Sequence, residues 1–303
     1  MKKNFVTFML CGCLLLASCQ KQAVGAPADL TGPTAENVEN PTMIPTEDFS
    51  MDEVMNAAVT APQGQKIFQL EDGKYESGSG ADYAQVTILP QSTMGDINGD
   101  GKLEAAVLLS ENYGGSGVFV SLIVFQKVGD SLQQSPAILI DDRPVINKLS
   151  IADGKIVLDA VIHGENDPMA APSLGVIESY QVYGSTLALT GLSEDSSGTE
   201  QKIVIDQPLE SESVSGEISI KGSMPVAPFE NSLRYRFYDS NNTVLNEGSF
   251  MVSAEDVGKP ATIEQTLTLP VVSSGSKIRL ELAYLSAKDG SPMCMTSVDL
   301  TVK

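Results

Sequence analysis

The chain has 303 residues, with 19 Lys and Arg set against 39 Asp and Glu, a formal charge of −20. So acidic a body excludes nucleic-acid binding by phosphate neutralisation, which needs clustered basic side chains. It also repels anionic headgroups and cell-wall polymers unless divalent cations bridge the two. Tryptophan is absent and aromatics are 6% of residues, which argues against a sugar platform built on exposed stacked rings.

Lys2 and Lys3 precede an apolar run from Phe5 to Leu16 that closes on the small residues Ala17 and Ser18. That order is the basic, apolar and small-residue sequence of a secretory signal. The run is shorter than the roughly 20 residues needed to span a hydrocarbon core. Leu16-Ala17-Ser18-Cys19 resembles the bacterial lipobox. The resemblance implies that residues 1–18 are removed and that Cys19 is the lipid attachment, tethering an extracytoplasmic body to the cell membrane or an outer membrane. Each acyl chain would contribute about 0.8 kcal/mol per buried methylene, enough for stable anchoring by two or three chains. Loss of Lys2 and Lys3 would take the charge from −20 to −22. Cys11 and Cys13 leave with the signal, so no intrachain disulfide is expected and packing alone must hold the fold.

Residues 19–47 are rich in Pro, Ala, Thr, Asn and Glu, without an apolar period, and read as a disordered tether. Ser50-Met51-Asp52-Glu53 has capping-box spacing, and Met51, Val54, Met55 and Ala58 follow at helical intervals. A short amphipathic helix is therefore expected to dock on a first β domain, residues 48–195. In that domain short apolar runs alternate with Gly, Asp and Asn clusters: Gln85 to Leu89, Ala105 to Leu109, Val118 to Gln126, Lys155 to Ile162 and Gly175 to Tyr183. This is a strand-and-turn pattern of antiparallel type.

The sharpest motif of the chain is Asp96-Ile97-Asn98-Gly99-Asp100-Gly101-Lys102-Leu103-Glu104. Asp96, Asn98, Asp100 and Glu104 supply oxygens at positions 1, 3, 5 and 9, the Lys102 carbonyl stands at the seventh, and Gly101 permits a tight turn at the sixth. A hard cation such as calcium takes six to eight oxygen ligands, and this spacing curls them around one point. The twelfth position is Val107, where a helix–loop–helix hand would carry a bidentate Glu. The loop thus resembles the Asp-rich calcium loops of β-propeller and dockerin-type repeats; an Asx-rich β turn without metal has the same composition. Gly114-Gly115-Ser116-Gly117 lacks the helix a phosphate cradle needs and reads as a turn.

Asp141-Asp142 forms an acidic pair, and His163, the chain's one histidine, lies near Glu165 and Asp167. One histidine excludes multi-histidine zinc sites, and no Gly-x-Ser-x-Gly elbow accompanies it. Leu192 to Gln201, with Ser-Glu-Asp-Ser-Ser-Gly and no apolar anchor, is expected to be a domain linker.

Residues 201–303 repeat a period of two, as in Val214, Gly216, Ile218 and Ile220 and again in Ile278, Leu280, Leu282 and Tyr284. About seven strands over some hundred residues fit a two-sheet immunoglobulin-like sandwich. Arg234 and Arg236 fall on the outer face of one strand, where a solvated position is expected. Cys294 alternates onto the apolar face and reads as a buried hydrophobe.

Ile203-Val204-Ile205-Asp206-Gln207-Pro208, Val214 through Gly222, Pro228-Phe229-Glu230-Asn231 and Ser286-Ala287-Lys288-Asp289-Gly290-Ser291 stand in order along this third of the chain. Together they resemble the immunoglobulin-like domain associated with bacterial spore germination proteins. The resemblance implies a surface module without catalytic residues. The whole reads as a mainly β chain: an N-terminal antiparallel β domain with a short helix, then a C-terminal immunoglobulin-like β-sandwich. The expected role is a non-catalytic cell-envelope contact module, anchored to the membrane through Cys19, stabilised by calcium and facing an envelope protein or cell-wall polymer. The alternative is an envelope enzyme or a small-ligand carrier with its site in the first domain, and a deep pocket holding His163 with two carboxylates in reach would mark the enzyme.

Overall fold

The computed structural model describes residues 49–303 apart from positions 197 and 257. The signal sequence, Cys19 and the tether lie outside the described residues. Almost every described element is a strand. No helix among them is long and apolar enough to cross a membrane.

The helix Met51–Met55 begins as its capping box dictates: the Glu53 N–H donates to Ser50 Oγ at 3.3 Å, and the Ser50 N–H donates back to Glu53 Oε2 at 2.8 Å. It stops a turn earlier than the apolar spacing predicts, because Ala58 opens the strand Ala58–Ala61, paired with Lys66–Gln69 in a hairpin. Val54 is fully buried in a cluster with Phe68, Val86, Val107, Leu109, Ile123 and Phe125. Helix and hairpin thus form an outer layer over one face of a seven-stranded sheet.

That sheet has Glu104–Asn112 and Phe119–Val128 at its centre. Ala105, Val107 and Leu109 face the helix, while Ala106 and Leu108 enter a second core with Val120, Leu122 and Val124. A strand covered on both faces favours apolar residues at successive positions, so Ala105 to Leu109 and Leu122 to Phe125 read as continuous apolar runs instead of alternating ones.

The second core is completed by a ten-stranded sheet whose order begins with Val145–Ala152, Lys155–Ile162, Leu174–Tyr183 and Thr186–Ser196 and continues through Pro292–Val302, Lys277–Leu285, Ser232–Asp239 and Val244–Met251. The sheet therefore runs from the first half of the chain into the immunoglobulin-like half. Its two halves bury opposite faces. Ala283 and Met295 join the core of the first half, whereas their neighbours Leu282 and Cys294 join the core of the second, against a four-stranded sheet carrying Ile218, Ile220, Ile263 and Leu267. Successive strand residues point to opposite faces, so one strand can serve two cores.

Leu192 to Gln201 departs from the expected linker. It is the end of the strand Thr186–Ser196, turning back as Thr199–Gln201. Leu192 is the apolar anchor the composition hid: it is buried, and it pairs with Met295 across the junction. In the last third, seven strands of four or more residues form the two-sheet sandwich, with Glu212–Val214 and Ser253–Ala254 as short additions.

Candidate functional site

The Asp-rich loop closes on itself through its own side chains. Asp96 Oδ1 accepts the Gly99 N–H at 2.7 Å, and its Oδ2 accepts that of Gly101 at 3.0 Å. Asn98 Oδ1 accepts from Asp100 N at 2.9 Å, and Asp100 Oδ1 from Lys102 N at 2.9 Å. Gly99 and Gly101 both adopt positive φ, 77° and 83°, the left-handed conformation that a side chain disfavours. Glu104 sits beneath the turn with 3% exposure; it accepts from Ile97 N at 2.8 Å and Asn98 Nδ2 at 3.1 Å. Burial pushes its pKa up, and the charges of Asp100 and Asp96 add to that.

Among the described residues no three acidic, His or Cys side chains converge to hold a metal ion. A cation in this loop would therefore draw on neutral oxygens, from the Asn98 side chain and the Lys102 carbonyl, alongside carboxylates. Val107, at the twelfth position, is fully buried in the sheet and offers nothing.

His163 follows the strand Lys155–Ile162, and its Nδ1 lies 2.8 Å from Asp141 Oδ2, which also accepts the His163 backbone N–H at 2.6 Å. The hydrogen bond that the ring donates to the Asp141 carboxylate raises the His163 pKa. Nε2 is sealed from solvent without a partner, so the ring presents no nitrogen to a substrate. Asp142 is committed to Val118 N at 2.8 Å and to Arg143, and Asp167 to Gly164 N and Ser173. Among the described residues, Asp141 is the carboxylate hydrogen-bonded to His163. Gly114 to Gly117 forms a turn around Asn112, whose amide donates to the carbonyls of Gly115 and Gly117.

Arg234 and Arg236 differ from the solvated expectation. Arg234 is mostly covered and pairs with the buried Glu281 at 2.9 Å; Arg236 pairs with Glu247 at 2.7 Å. On the same sheet face lies Arg279, only 2% exposed and stacked between the rings of Tyr183 and Tyr238. Sequence reasoning passed over Arg279, because a period of two marks it as outward-facing and says nothing of what covers that face. Cys294 is fully buried in the sandwich core.

Residues 202–291 match the family model of the immunoglobulin-like domain of bacterial spore germination. The match covers most of the sandwich, from the strand Val204–Gln207 to the turn after Lys277–Leu285, and leaves the first half of the chain outside it. The strand Pro292–Val302, which follows the matched segment, is the one that joins this spore germination-associated domain to the rest of the ten-stranded sheet. Such a domain is compatible with a non-catalytic module. A comparison with curated proteins gives no match.

Proposed function

We propose that this chain is an extracytoplasmic lipoprotein, anchored through Cys19 to the bacterial cell membrane or outer membrane, acting as a non-catalytic binding module of the cell envelope. The observation that carries the reading is the immunoglobulin-like domain over residues 202–291, fused by a shared sheet to a second β body. A lipid anchor, a tether over residues 19–47 and a stiff two-part body would hold that domain away from the surface. Its loops and free strand edges are available for contact with an envelope protein or cell-wall polymer. Calcium would have to draw Asp96, Asn98, Asp100, the Lys102 carbonyl and Glu104 together from the hydrogen bonds that now close the turn, and would then stiffen the first half and offset local negative charge. The sealed Nε2 of His163 favours this reading over the enzyme alternative.

The test has two parts. Palmitate labelling of cells expressing the chain should mark the wild type and not Cys19→Ser. A pull-down on isolated cell wall and envelope proteins, with calcium or chelator, should show retention that is lost when residues 202–291 are replaced by an unrelated sandwich domain. Absence of label overturns the anchor; absence of retention in both conditions overturns the contact role.

A further inference from the structure

A cleft of about 390 Å³ lies where the turns of the first half meet the immunoglobulin-like half, with Tyr183, Lys277, Arg279 and Asp299 among its walls. Arg279 and Asp299 are directly opposed on neighbouring strands and share a face of the sheet. Opposite charges so placed normally pair. Here they do not. The guanidinium is held flat between Tyr183 and Tyr238, 4.6 and 4.3 Å from the ring centroids, and only its Nη2 is engaged, donating to Asn242 Oδ1 at 2.6 Å. Nε and Nη1 are buried and meet no acceptor. The Asp299 carboxylate turns to Gln181 and the Tyr183 hydroxyl through bonds of 3.3 and 3.4 Å, long for a charged acceptor.

A buried cation with two unmet donors is costly unless something supplies an acceptor. The exposed Lys277 stands on the same cleft with no ion-pair partner among the described residues. An anion alone would meet repulsion from Asp299 and from Asp239, which also lines the cleft; a cation alone would meet Arg279 and Lys277. A molecule carrying both charges a few ångströms apart satisfies both sets, and the volume suits a small molecule.

We propose that this cleft binds a small zwitterion of the amino-acid or short-peptide class, its carboxylate on Arg279 and Lys277 and its ammonium on Asp299. The site is independent of the lipid anchor and of envelope contact, so its test stands apart from theirs.

Calorimetric titration of the detergent-solubilised full chain with alanine, alanyl-alanine, N-acetyl-alanyl-alanine and alanyl-alanine amide reads the proposal directly. Alanine or alanyl-alanine should bind saturably, and each blocked form should bind at least tenfold more weakly. Asp299→Asn should lose at least tenfold toward the free zwitterion and leave the N-acetyl form unchanged. Lys277→Gln, an exposed change, should weaken the free zwitterion severalfold without affecting folding, which keeps the proposal testable if Arg279→Gln fails to fold. No saturable binding by either free form, or blocked forms binding as tightly as free ones, would overturn it.

Discussion

The carboxylate of Glu104 accepts the backbone N–H of Ile97 at 2.8 Å, clamping the head of the Asp-rich loop to the first residue of the central strand Glu104–Asn112. Ile97 is 2% exposed, so its N–H has no ready replacement for this acceptor. Glu104→Ala should cost about 1–3 kcal/mol by leaving a buried donor unmet. Glu104→Gln, which keeps an acceptor, should cost less. Urea unfolding of the two variants beside wild type measures the difference; equal stability of Glu104→Ala and wild type would show that the clamp is dispensable.

Calcium binding by the same loop, if it occurs as proposed, would carry a thermal signature. A ligand that binds only the folded chain, at a hundredfold excess over its Kd, adds about 2.7 kcal/mol. Calcium should therefore raise Tm relative to chelator, and Asp96→Asn with Asp100→Asn should abolish the rise. An unchanged Tm at millimolar calcium would reduce the loop to a turn held by the hydrogen bonds that Asp96 and Asn98 already make.

Glu194 predicts a pH dependence of stability. It is half-buried in the strand Thr186–Ser196, opposite Val176 and Gln201, and burial pushes its pKa up to about 7. The fold prefers its protonated form, so its contribution is fully present below about pH 4.5 and is lost as pH rises through 7. Glu194→Gln should match wild type at pH 4 and exceed it at pH 8. Solvent access trims the gain to about 1 kcal/mol. Chemical denaturation at the two pH values decides it, and an equal offset at both would assign the effect to packing.

Cys294 should resist modification. Burial pushes its thiol pKa up to about 12, and its sulfur lies within the sandwich core. A thiolate is the reactive form, so iodoacetamide at pH 8 should label the thiol only in denaturant. Rapid labelling of the native chain would mean that the strand Pro292–Val302 opens readily, and with it the joint between the halves.

Much of the fold was legible in short-range pattern. The strand Lys155–Ile162 falls where its apolar run predicts, because the run is rich in β-branched residues and its ends are marked by Gly154 and His163-Gly164. The capping box at Ser50 was equally local. The helix end was not: the spacing through Ala58 is helical, yet Ala58 pairs with Gln69, and the pairing partner decides. Of the candidate site, the loop from Asp96 to Glu104 could be read as a turn from its glycines and Asx residues. The depth of Glu104 could not, since a charged residue nine places into a polar loop carries no mark of burial.

The class of the chain follows from local pattern: apolar runs and alternation mark the strands, Gly and Asp clusters mark the turns, and ordered short motifs mark the immunoglobulin-like third, all of them properties of residues near one another along the chain. Folding is what brings Leu192 and Met295 together to knit two halves into one sheet, and what leaves Arg279 and Asp299 side by side and unpaired at a cleft. Those relationships join residues about a hundred or about twenty positions apart, and a period of two assigns a side chain to a face without saying what will cover that face.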